Sequence, residues 1–207
     1  MDDTLWAFSL NARDTYEEMY WKYGYDRYFD SFEHYYLLYQ RRNLDLWAEY
    51  ADGKVTKEEL NRQRYLYPLE AVGAGDSTLA KAYERDALAM IPTKSKLMPH
   101  AREVLEYLSG KYNLYILSNG FKELQSHKMR SSGIDEYFKK VVLSDDIGIL
   151  KPWPEIFHFA LSTTQSELNN SLMIGDSWEN DIVGAAGVGM HQVFYNLSGR
   201  TDLHFAP

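Results

Sequence analysis

A buried apolar run that stops at a glycine and continues as a helix is the feature that most constrains this chain. Leu172 to Gly189 reads LMIGDSWENDIVGAAGVG, in which the apolar run ends at Gly175 and a helix is predicted from about Trp178. Asp176 lies in the turn between them, and Asp181 follows about one helical turn later. Open α/β sheets bind ligands at the carboxyl ends of their strands. The stretch therefore predicts an α/β fold with two carboxylates at its ligand-binding edge.

Asp176 and Asp181 indicate a cation site, because two converging carboxylates repel each other unless a cation or a proton intervenes. Carboxylate oxygens are hard ligands of the kind that Mg²⁺ prefers, together with the oxygens of a substrate phosphate. The structural alternative is that Asp176 caps a helix whose polar residues face solvent. The stretch alone leaves both interpretations open, so partners elsewhere in the chain have to decide.

The composition indicates a globular protein and argues against several kinds of partner. The chain has 207 residues, of which 45% are apolar, enough to bury a core. Its net charge of −8 and the lack of a dense Lys/Arg run disfavour nucleic-acid binding. It has no cysteine for disulfide or thiolate chemistry, and no apolar run of membrane-spanning length. The acidic start, MDDTLWAFSLNARD, is unlike a secretory signal, so we expect a soluble cytoplasmic protein.

Residues 11–90 carry the pattern of a helical bundle. The four helix signals are a three-to-four apolar spacing from about Leu10 to Gly24, a Ser31 cap with an end at Asp52-Gly53, a Thr56/Glu59 capping box with an end near Pro68, and a run from about Ser77 to Met90. Four helices without an intervening strand form a bundle. We therefore predict that residues 11–90 are an inserted, all-helical domain.

This bundle is rich in aromatic residues. Eleven of the 24 residues from Tyr16 to Tyr39 are aromatic, against 15% in the whole chain. The rings either pack between helices or form a wall for a flat ligand, since stacking one base on an aromatic side chain is worth about 1–3 kcal/mol. The sequence leaves both possibilities open.

Short apolar runs alternate with helical segments after Pro99. The predicted order is helix 99–108, strand 112–117, helix 122–132, strand 141–143, helix 154–163, strand 172–174, a helix, and strand 192–195. This alternation is typical of βαβ units. We therefore predict a Rossmann-like parallel sheet core made from residues 1–10 and 91–207.

Two more polar signals follow predicted strands. Ser118, Asn119 and Gly120 come directly after a strand, so a hydroxyl and backbone N–H groups can bind an anion there. Lys151 precedes Pro152, and its charge is worth ~4 kcal/mol to a phosphate oxygen about 4 Å away at an effective dielectric near 20. Each has an ordinary alternative, a common βα turn and a solvated surface lysine. The six histidines show no metal-ligand spacing.

Four motifs recur in one order: DDTL from Asp2, LSNG from Leu117, KP at Lys151 and GDSxxxD from Gly175. In this order they resemble the motifs of the haloacid dehalogenase superfamily, Mg²⁺-dependent phosphohydrolases with a Rossmann-like core and a mobile cap. The resemblance covers essentially the whole chain, and the helical insertion lies at the family's cap position. The stretches NLDLWAEYADGKVTKEEL, SNGF and DSWENDIVGAAGVGM are most similar to the bacterial pyrimidine 5′-nucleotidase branch.

The resemblance implies a role for each motif residue. Asp2 would be the general acid and base, its main-chain carbonyl and the Asp176 carboxylate would hold Mg²⁺, and Asp181 would orient that site. The phosphate would be bound by four residues: Ser118, Asn119, Gly120 and Lys151. Of these, Ser118 and Lys151 would also be catalytic, because they would neutralise the phosphoryl oxygens. Candidates for contact with a nucleotide base are Phe121, Phe29, Tyr35 and Trp47, with core packing as the alternative for each.

The first motif is incomplete in this sequence. The family's pattern is D-x-D-x-T-L, in which the leading aspartate attacks phosphorus, and Met1 aligns with the residue after it. The nucleophile and the central strand would precede Met1, and a further strand and helix would follow Pro207. We expect a clipped or mis-started form of an active enzyme, and no turnover from a chain that truly starts at Met1.

The expected reaction is hydrolysis of a small phosphomonoester, with a nucleoside 5′-monophosphate as first choice, by a monomer or homodimer. A sugar-phosphate or phosphoglycolate phosphatase would differ only in the cap. A 2-haloacid dehalogenase shares the fold, but it needs neither a general acid nor Mg²⁺, so Asp2 and Asp176 argue against it. A phosphate- or partner-binding module without catalysis is the non-enzyme alternative.

Overall fold

The chain divides into two compact units. The computed structural model describes residues 1–206. One unit is Met1–Phe8 together with the chain from Ser95 onward, and the other is Ser9–Lys94. No helix within residues 1–206 is both long enough and apolar enough to cross a bilayer.

The unit Ser9–Lys94 is built from four helices, as predicted. They are α1 (Phe8–Lys22), α2 (Phe32–Ala51), α3 (Lys57–Ala71) and α4 (Ser77–Met90). The expected caps are present, because Ser31 Oγ accepts a hydrogen bond from the backbone N–H of His34 at 3.1 Å and Thr56 Oγ1 accepts one from that of Glu59 at 3.1 Å. These bonds satisfy N–H groups that a helix start otherwise leaves without partners.

Helix α3 is longer than predicted. The sequence predicts an end near Pro68, but the helix continues through Pro68 to Ala71. A proline inside a helix removes one backbone hydrogen bond. Pro68 and its neighbour Leu69 are both buried, and the apolar surface removed from water offsets that loss. Tertiary packing therefore overrides the local stop signal.

Tyrosine rings form much of the core of this helical unit. Tyr16, Tyr25, Tyr35 and Tyr83 are each at most 1% exposed. The rings of Tyr25 and Tyr83 stack with centroids 4.8 Å apart, and the hydroxyls of Tyr16 and Tyr39 are hydrogen-bonded at 2.6 Å. A tyrosine buries a large apolar ring but still needs a partner for its hydroxyl. Much of the aromatic excess is therefore core packing.

The strands lie in the other unit and pair in parallel, which confirms the predicted α/β class. They are β1 (Tyr115–Ser118), β2 (Lys140–Leu143), β3 (Leu172–Gly175) and β4 (His191–Phe194). β1 pairs with β2, and β3 pairs with β4.

Within the described residues these strands form two two-stranded sheets, whereas the sequence predicts a single sheet. The segment at Met1 adds no strand between them, because it folds into turns. In these turns the Met1 carbonyl accepts hydrogen bonds from the backbone N–H groups of Thr4, Leu5 and Trp6.

The helices of this unit bring polar residues to the strand ends. They are α5 (Ala101–Ser109), α6 (Lys122–Ser132), α7 (Pro154–Thr164), a π-helical turn at Trp178–Val183, and α8 (Gly184–Gly187). Helix α6 starts four residues after β1 ends, and the π-helical turn starts three residues after β3 ends. Both connections are too short to leave the sheet edge, so the residues in them remain at the carboxyl ends of the strands.

Candidate active site

The turn after β1 holds a buried hydroxyl. Ser118 is the last residue of β1 and is 5% exposed. Its Oγ accepts hydrogen bonds from the backbone N–H of Gly120 at 3.1 Å and from Gln125 Nε2 at 3.2 Å. A Cβ at Gly120 would overlap the Gln125 carboxamide, so a side chain there would have to displace Gln125 from the Ser118 hydroxyl. The turn that the sequence predicts as a phosphate loop is therefore packed closely around the Ser118 hydroxyl.

The Asn119 side chain binds the backbone of Lys151. Asn119 Nδ2 donates to the Lys151 carbonyl at 3.0 Å, and Asn119 Oδ1 accepts from the Lys151 N–H at 2.8 Å. The peptide bond between Lys151 and Pro152 is cis. Because both polar atoms of the carboxamide are engaged, Asn119 can offer an anion its main-chain N–H, while its side chain fastens the Lys151 loop to the end of β1.

Lys151 is a buried cation fixed by two oxygen atoms. Its Nζ donates to the Leu117 carbonyl at 3.0 Å and to Asp181 Oδ1 at 2.5 Å. An ammonium group has three N–H donors, so one remains for a ligand. The side chain is 7% exposed, which rules out the alternative of a solvated surface lysine.

Asp181 is folded back over the end of β3. The backbone N–H of Ser177 donates to Asp181 Oδ2 at 3.1 Å, while Oδ1 receives the Lys151 ammonium. A Cβ at Gly175 would overlap the Asp181 carboxylate. Glycine at the end of β3 therefore makes room for the carboxylate that fixes Lys151.

Asp176 receives a hydrogen bond from the first motif. Thr4 Oγ1 donates to Asp176 Oδ1 at 2.6 Å, across 172 positions of sequence. Burial raises the pKa of the Asp176 carboxyl and the Asp181 carboxylate raises it further, although Thr4 and the Met1 amino group act in the opposite direction. The carboxylate of Asp176 thus lies where more positive charge would stabilise it.

Asp2 is held by two residues of α6. Lys128 Nζ lies 2.9 and 3.1 Å from the two Asp2 carboxylate oxygens, and Gln125 Nε2 donates to Oδ2 at 2.9 Å. The buried Lys128 ammonium also lies 4.7 Å from the centre of the Trp6 ring. Burial alone would raise the pKa of the Asp2 carboxyl, but the Lys128 ammonium, the Met1 amino group and these hydrogen bonds lower it. Asp2 is therefore ionised at neutral pH.

The structure joins the predicted site residues in pairs. Thr4 donates to Asp176, and Lys151 pairs with Asp181. Asp2 and Ser118 are linked by one carboxamide, because Gln125 Nε2 donates to both.

Gln125 and Lys128 are site residues that the sequence reasoning missed. In sequence they are ordinary polar residues of a helix. Their spacing of three positions places them on one helix face, and they come seven and ten residues after Ser118. That face is buried, since Gln125 is 0% and Lys128 3% exposed. Their position in the first helix after a phosphate-type turn was the available signal.

The four aromatic candidates for substrate contact have different surroundings. Phe29 and Tyr35 are buried in the ring core of the helical unit, and Phe121 is buried at the start of α6. Trp47 keeps partial exposure, with its ring centroid 5.8 Å from that of Tyr50. Of the four, Trp47 is the one that is not fully buried.

The motif order and the strand-end geometry agree with a family model described as haloacid dehalogenase-like hydrolase, which matches residues 1–189. The chain belongs to this family. Among its haloacid dehalogenase-like relatives is the pyrimidine 5′-nucleotidase YjjG of Escherichia coli. It is 31% identical over 163 residues, which span 78% of this chain and 71% of that protein.

Two further relatives differ in how much of the chain they match. A glyceraldehyde 3-phosphate phosphatase of Pyrococcus abyssi is 38% identical over 99 residues, 47% of this chain and 42% of that protein. The crystal structure of the HAD-hydrolase YfnB of Bacillus subtilis, described as bound to magnesium, superposes with a TM-score of 0.86 at 24% identity. That match covers 97% of this chain and 87% of YfnB, and it supports the same fold.

The donors at this edge fit a magnesium ion, which the haloacid dehalogenase family implies. Within residues 1–206, no three His, Asp or Glu side chains converge as a ready-made metal cluster. The carboxylates of Asp2 and Asp181 are each bound by a lysine, whereas Asp176 accepts from the neutral Thr4 hydroxyl. Mg²⁺ commonly uses one or two carboxylates and completes its shell with water and substrate phosphate. Asp176 is therefore the one of these three carboxylates without a lysine partner, and burial raises its pKa, so a cation would stabilise its charged form.

Proposed function

We propose that this chain is a Mg²⁺-dependent phosphomonoester hydrolase whose phosphate site lies at Ser118 and Lys151. The observation that carries the proposal is the buried Lys151 ammonium, which Leu117 and Asp181 fix in place and which keeps one N–H for a ligand. Fixed charges at a buried site stabilise phosphoryl oxygens without having to reorganise during the reaction. The Ser118 hydroxyl and the backbone N–H groups of the following turn supply further donors.

The proposed nucleophile is the aspartate that the first motif implies directly ahead of Met1. Its carboxylate attacks phosphorus, the bond from phosphorus to the leaving oxygen breaks, and Asp2 gives that oxygen a proton. Water then attacks the phosphorus of the aspartyl phosphate, the bond from phosphorus to the aspartate oxygen breaks, and Asp2 takes a proton from the water. Inorganic phosphate leaves, the nucleophile is again a carboxylate, and Asp2 again holds the proton with which it entered the first step.

The contacts of Asp2 suit the second of these proton transfers and work against the first. Lys128 and Gln125 fix both carboxylate oxygens, and the lowered pKa of Asp2 provides the ionised form that accepts a proton from water. The first step needs the protonated form, and the negative charge of an arriving phosphate favours proton uptake by a carboxylate beside it.

Magnesium, when bound, would supply positive charge that lets the substrate phosphate approach the carboxylates. The Asp176 carboxylate and the Asp2 main-chain carbonyl would hold it, and Asp181 would orient the site. Donor chemistry and the raised pKa of Asp176 support this assignment.

Nucleoside 5′-monophosphates are the proposed substrates. The support is the match to a pyrimidine 5′-nucleotidase over 78% of the chain. The many aromatic residues of the helical unit give little support for base binding, because rings such as Phe29 and Tyr35 are buried in its core. Trp47, which is partly exposed, is the remaining ring in that unit that we propose for base contact.

A short-chain sugar phosphate is the second candidate substrate. The observation in its favour is the 38% identity to a glyceraldehyde 3-phosphate phosphatase over 99 residues. The phosphate chemistry would be the same, so only the residues that contact the leaving group would differ.

A substrate panel tests the proposal. The chain, together with the residues that precede Met1 in its reading frame, is assayed for phosphate release from UMP, dTMP and glyceraldehyde 3-phosphate, with and without Mg²⁺. We expect UMP or dTMP to react fastest, chelation to abolish turnover, and Lys151→Met to lower kcat/KM at least ~100-fold. Tenfold faster sugar-phosphate hydrolysis would favour the second candidate. Halide release from 2-chloropropionate that resists chelation would overturn the phosphatase assignment.

A further inference from the structure

The Ser118 hydroxyl is held so that it can act only as a hydrogen-bond donor. A hydroxyl has two acceptor lone pairs and one donor hydrogen. Gly120 N–H fills one lone pair at 3.1 Å and Gln125 Nε2 fills the other at 3.2 Å. The hydrogen is therefore the part of this group that remains for a ligand, and a donor is what an anion needs.

Asp2 determines which way the Gln125 carboxamide faces. A carboxylate can only accept, so the atom of Gln125 that lies 2.9 Å from Asp2 Oδ2 has to be the amide nitrogen. Its two N–H bonds then point to Asp2 and to Ser118. The orientation of the Ser118 hydroxyl is thus linked to the carboxylate of the first motif.

The environment of Gln125 is not explained by stability alone. The residue is 0% exposed, and its Oε1 is buried without a hydrogen-bond partner among residues 1–206. A buried acceptor without a partner destabilises a fold, and an apolar side chain of similar size would avoid that penalty. The neighbouring Gly120 also leaves the space that the carboxamide occupies.

We propose that Gln125 is a positioning residue that makes Ser118 a donor-only ligand for the phosphoryl group. It acts through Ser118 and does not touch the substrate itself. The inference rests on the proposed function in one respect, the placement of a phosphoryl oxygen at Ser118.

A double-mutant cycle with inorganic phosphate as the probe tests this inference. Gln125→Met, which keeps size and removes both N–H donors, is compared with Ser118→Ala and with the double variant, by calorimetry in magnesium buffer. We expect Gln125→Met to weaken phosphate binding about fivefold when Ser118 is present, as for loss of one oriented hydrogen bond. In the Ser118→Ala background we expect a clearly smaller loss, because only the hydrogen bond from Gln125 to Asp2 then remains to be removed.

An equal loss of phosphate affinity with and without Ser118 would mean that Gln125 only supports the fold, and would overturn the inference. So would an unchanged affinity in Gln125→Met, or a wild-type chain that does not bind phosphate.

Gln125→Glu is a second variant of nearly the same shape. Its carboxylate would accept the Ser118 hydrogen and turn it away from the ligand, and its charge would repel both Asp2 and phosphate. We expect Gln125→Glu to weaken phosphate binding more than Gln125→Met does. In the Ser118→Ala background, Gln125→Glu should weaken phosphate binding less than it does when Ser118 is present. Equal losses in the two backgrounds would again contradict the inference. Circular dichroism checks that each variant is folded.

The outcomes separate this inference from the proposed function. Coupled phosphate binding without hydrolysis of any monophosphate would keep the role of Gln125 and overturn the phosphatase proposal. Hydrolysis of a monophosphate without coupling between Gln125 and Ser118 would keep the phosphatase proposal and overturn the role of Gln125.

Discussion

Lys151 and Asp181 form an ion pair in which Nζ lies 2.5 Å from Oδ1 and both side chains are at most 7% exposed. Each partner has a further anchor, the Leu117 carbonyl for Lys151 and the Ser177 N–H for Asp181. A buried pair of this kind contributes little net stability compared with apolar residues, but the loss of one partner leaves a charge uncompensated. The pair therefore fixes the lysine at the end of β1.

Replacing one partner of this pair should destabilise the protein strongly. We expect Asp181→Asn to lower the free energy of unfolding by about 3 kcal/mol, because Lys151 is then buried without a counter-charge. The double variant with Lys151→Met should recover part of that loss. Urea unfolding of the two single variants and the double variant measures this coupling. Additive losses would mean that the two side chains do not depend on each other.

The ion pair between Lys128 and Asp2 should make stability depend on pH. The pKa of Asp2 is lower in the folded protein than in the unfolded chain, so folded Asp2 binds a proton less readily. Its contribution is therefore complete above its unfolded pKa of about 3.9 and is lost as pH falls through the folded pKa.

Lys128→Met should remove that contribution. We expect the free energy of unfolding to fall by about 2–4 kcal/mol at pH 7, somewhat less than for a fully buried pair because the Asp2 side chain is 28% exposed. The difference from wild type should narrow below about pH 4, where Asp2 binds a proton in the unfolded chain. Lys128→Arg, which keeps the charge, is the control and should lose less. A difference that stays constant from pH 3 to pH 7 would contradict the assignment.

Gly120 should not tolerate a methyl group. A Cβ there would overlap the Gln125 carboxamide, so we expect Gly120→Ala to destabilise by about 1–3 kcal/mol and to weaken phosphate binding. Gly110→Ala is a matched control, since Gly110 has φ −75° and nothing within 4 Å of its Cβ position. Its stability should stay within about 1 kcal/mol of wild type. Thermal unfolding measures the stability of the two variants, and calorimetry measures their phosphate affinity. Equal stability and equal affinity in the two variants would contradict the packing described for the phosphate turn.

Thr4 should support metal binding through Asp176. Thr4→Val keeps the shape but removes the hydrogen bond at 2.6 Å that orients the Asp176 carboxylate. A metal-binding carboxylate that loses the partner orienting it binds its metal about 10- to 100-fold more weakly. We expect about a tenfold weaker Mg²⁺ affinity, seen as a stabilisation by saturating Mg²⁺ that is smaller by about 1.4 kcal/mol. Thr4→Ser should behave like wild type. An unchanged Mg²⁺ response in Thr4→Val would argue against Asp176 as the ligand.

Local signals account for the parts of the fold that the sequence predicts well. Helix α4 has both ends where they are predicted, and α6 ends at Gly133, whose φ of 62° favours glycine. Caps such as Ser31 are formed within a few residues, so they can be read without knowing the tertiary structure. The end of α3 differs because the stop signal at Pro68 competes with burial that only the folded chain provides.

The site depends on contacts that no local pattern contains. Thr4 and Asp176 are 172 positions apart, and Asp2 and Lys128 are 126 apart. The motif order predicts that Asp2, Asp176 and Lys151 share a sheet edge. It does not predict that α6 also places Gln125 and Lys128 at this edge. The sequence of a helix does not tell whether one of its polar residues faces solvent or a buried carboxylate.

The most direct test of the central claim is crystallographic. Crystals are soaked with magnesium and tungstate, a heavy mimic of phosphate, and the tungsten is located by its anomalous signal. We predict a tungsten peak with oxygens in hydrogen-bond range of Ser118 Oγ and Lys151 Nζ, and magnesium density on the Asp176 carboxylate. A tungstate that binds elsewhere, or no tungsten peak at all, would contradict a phosphate site at this edge.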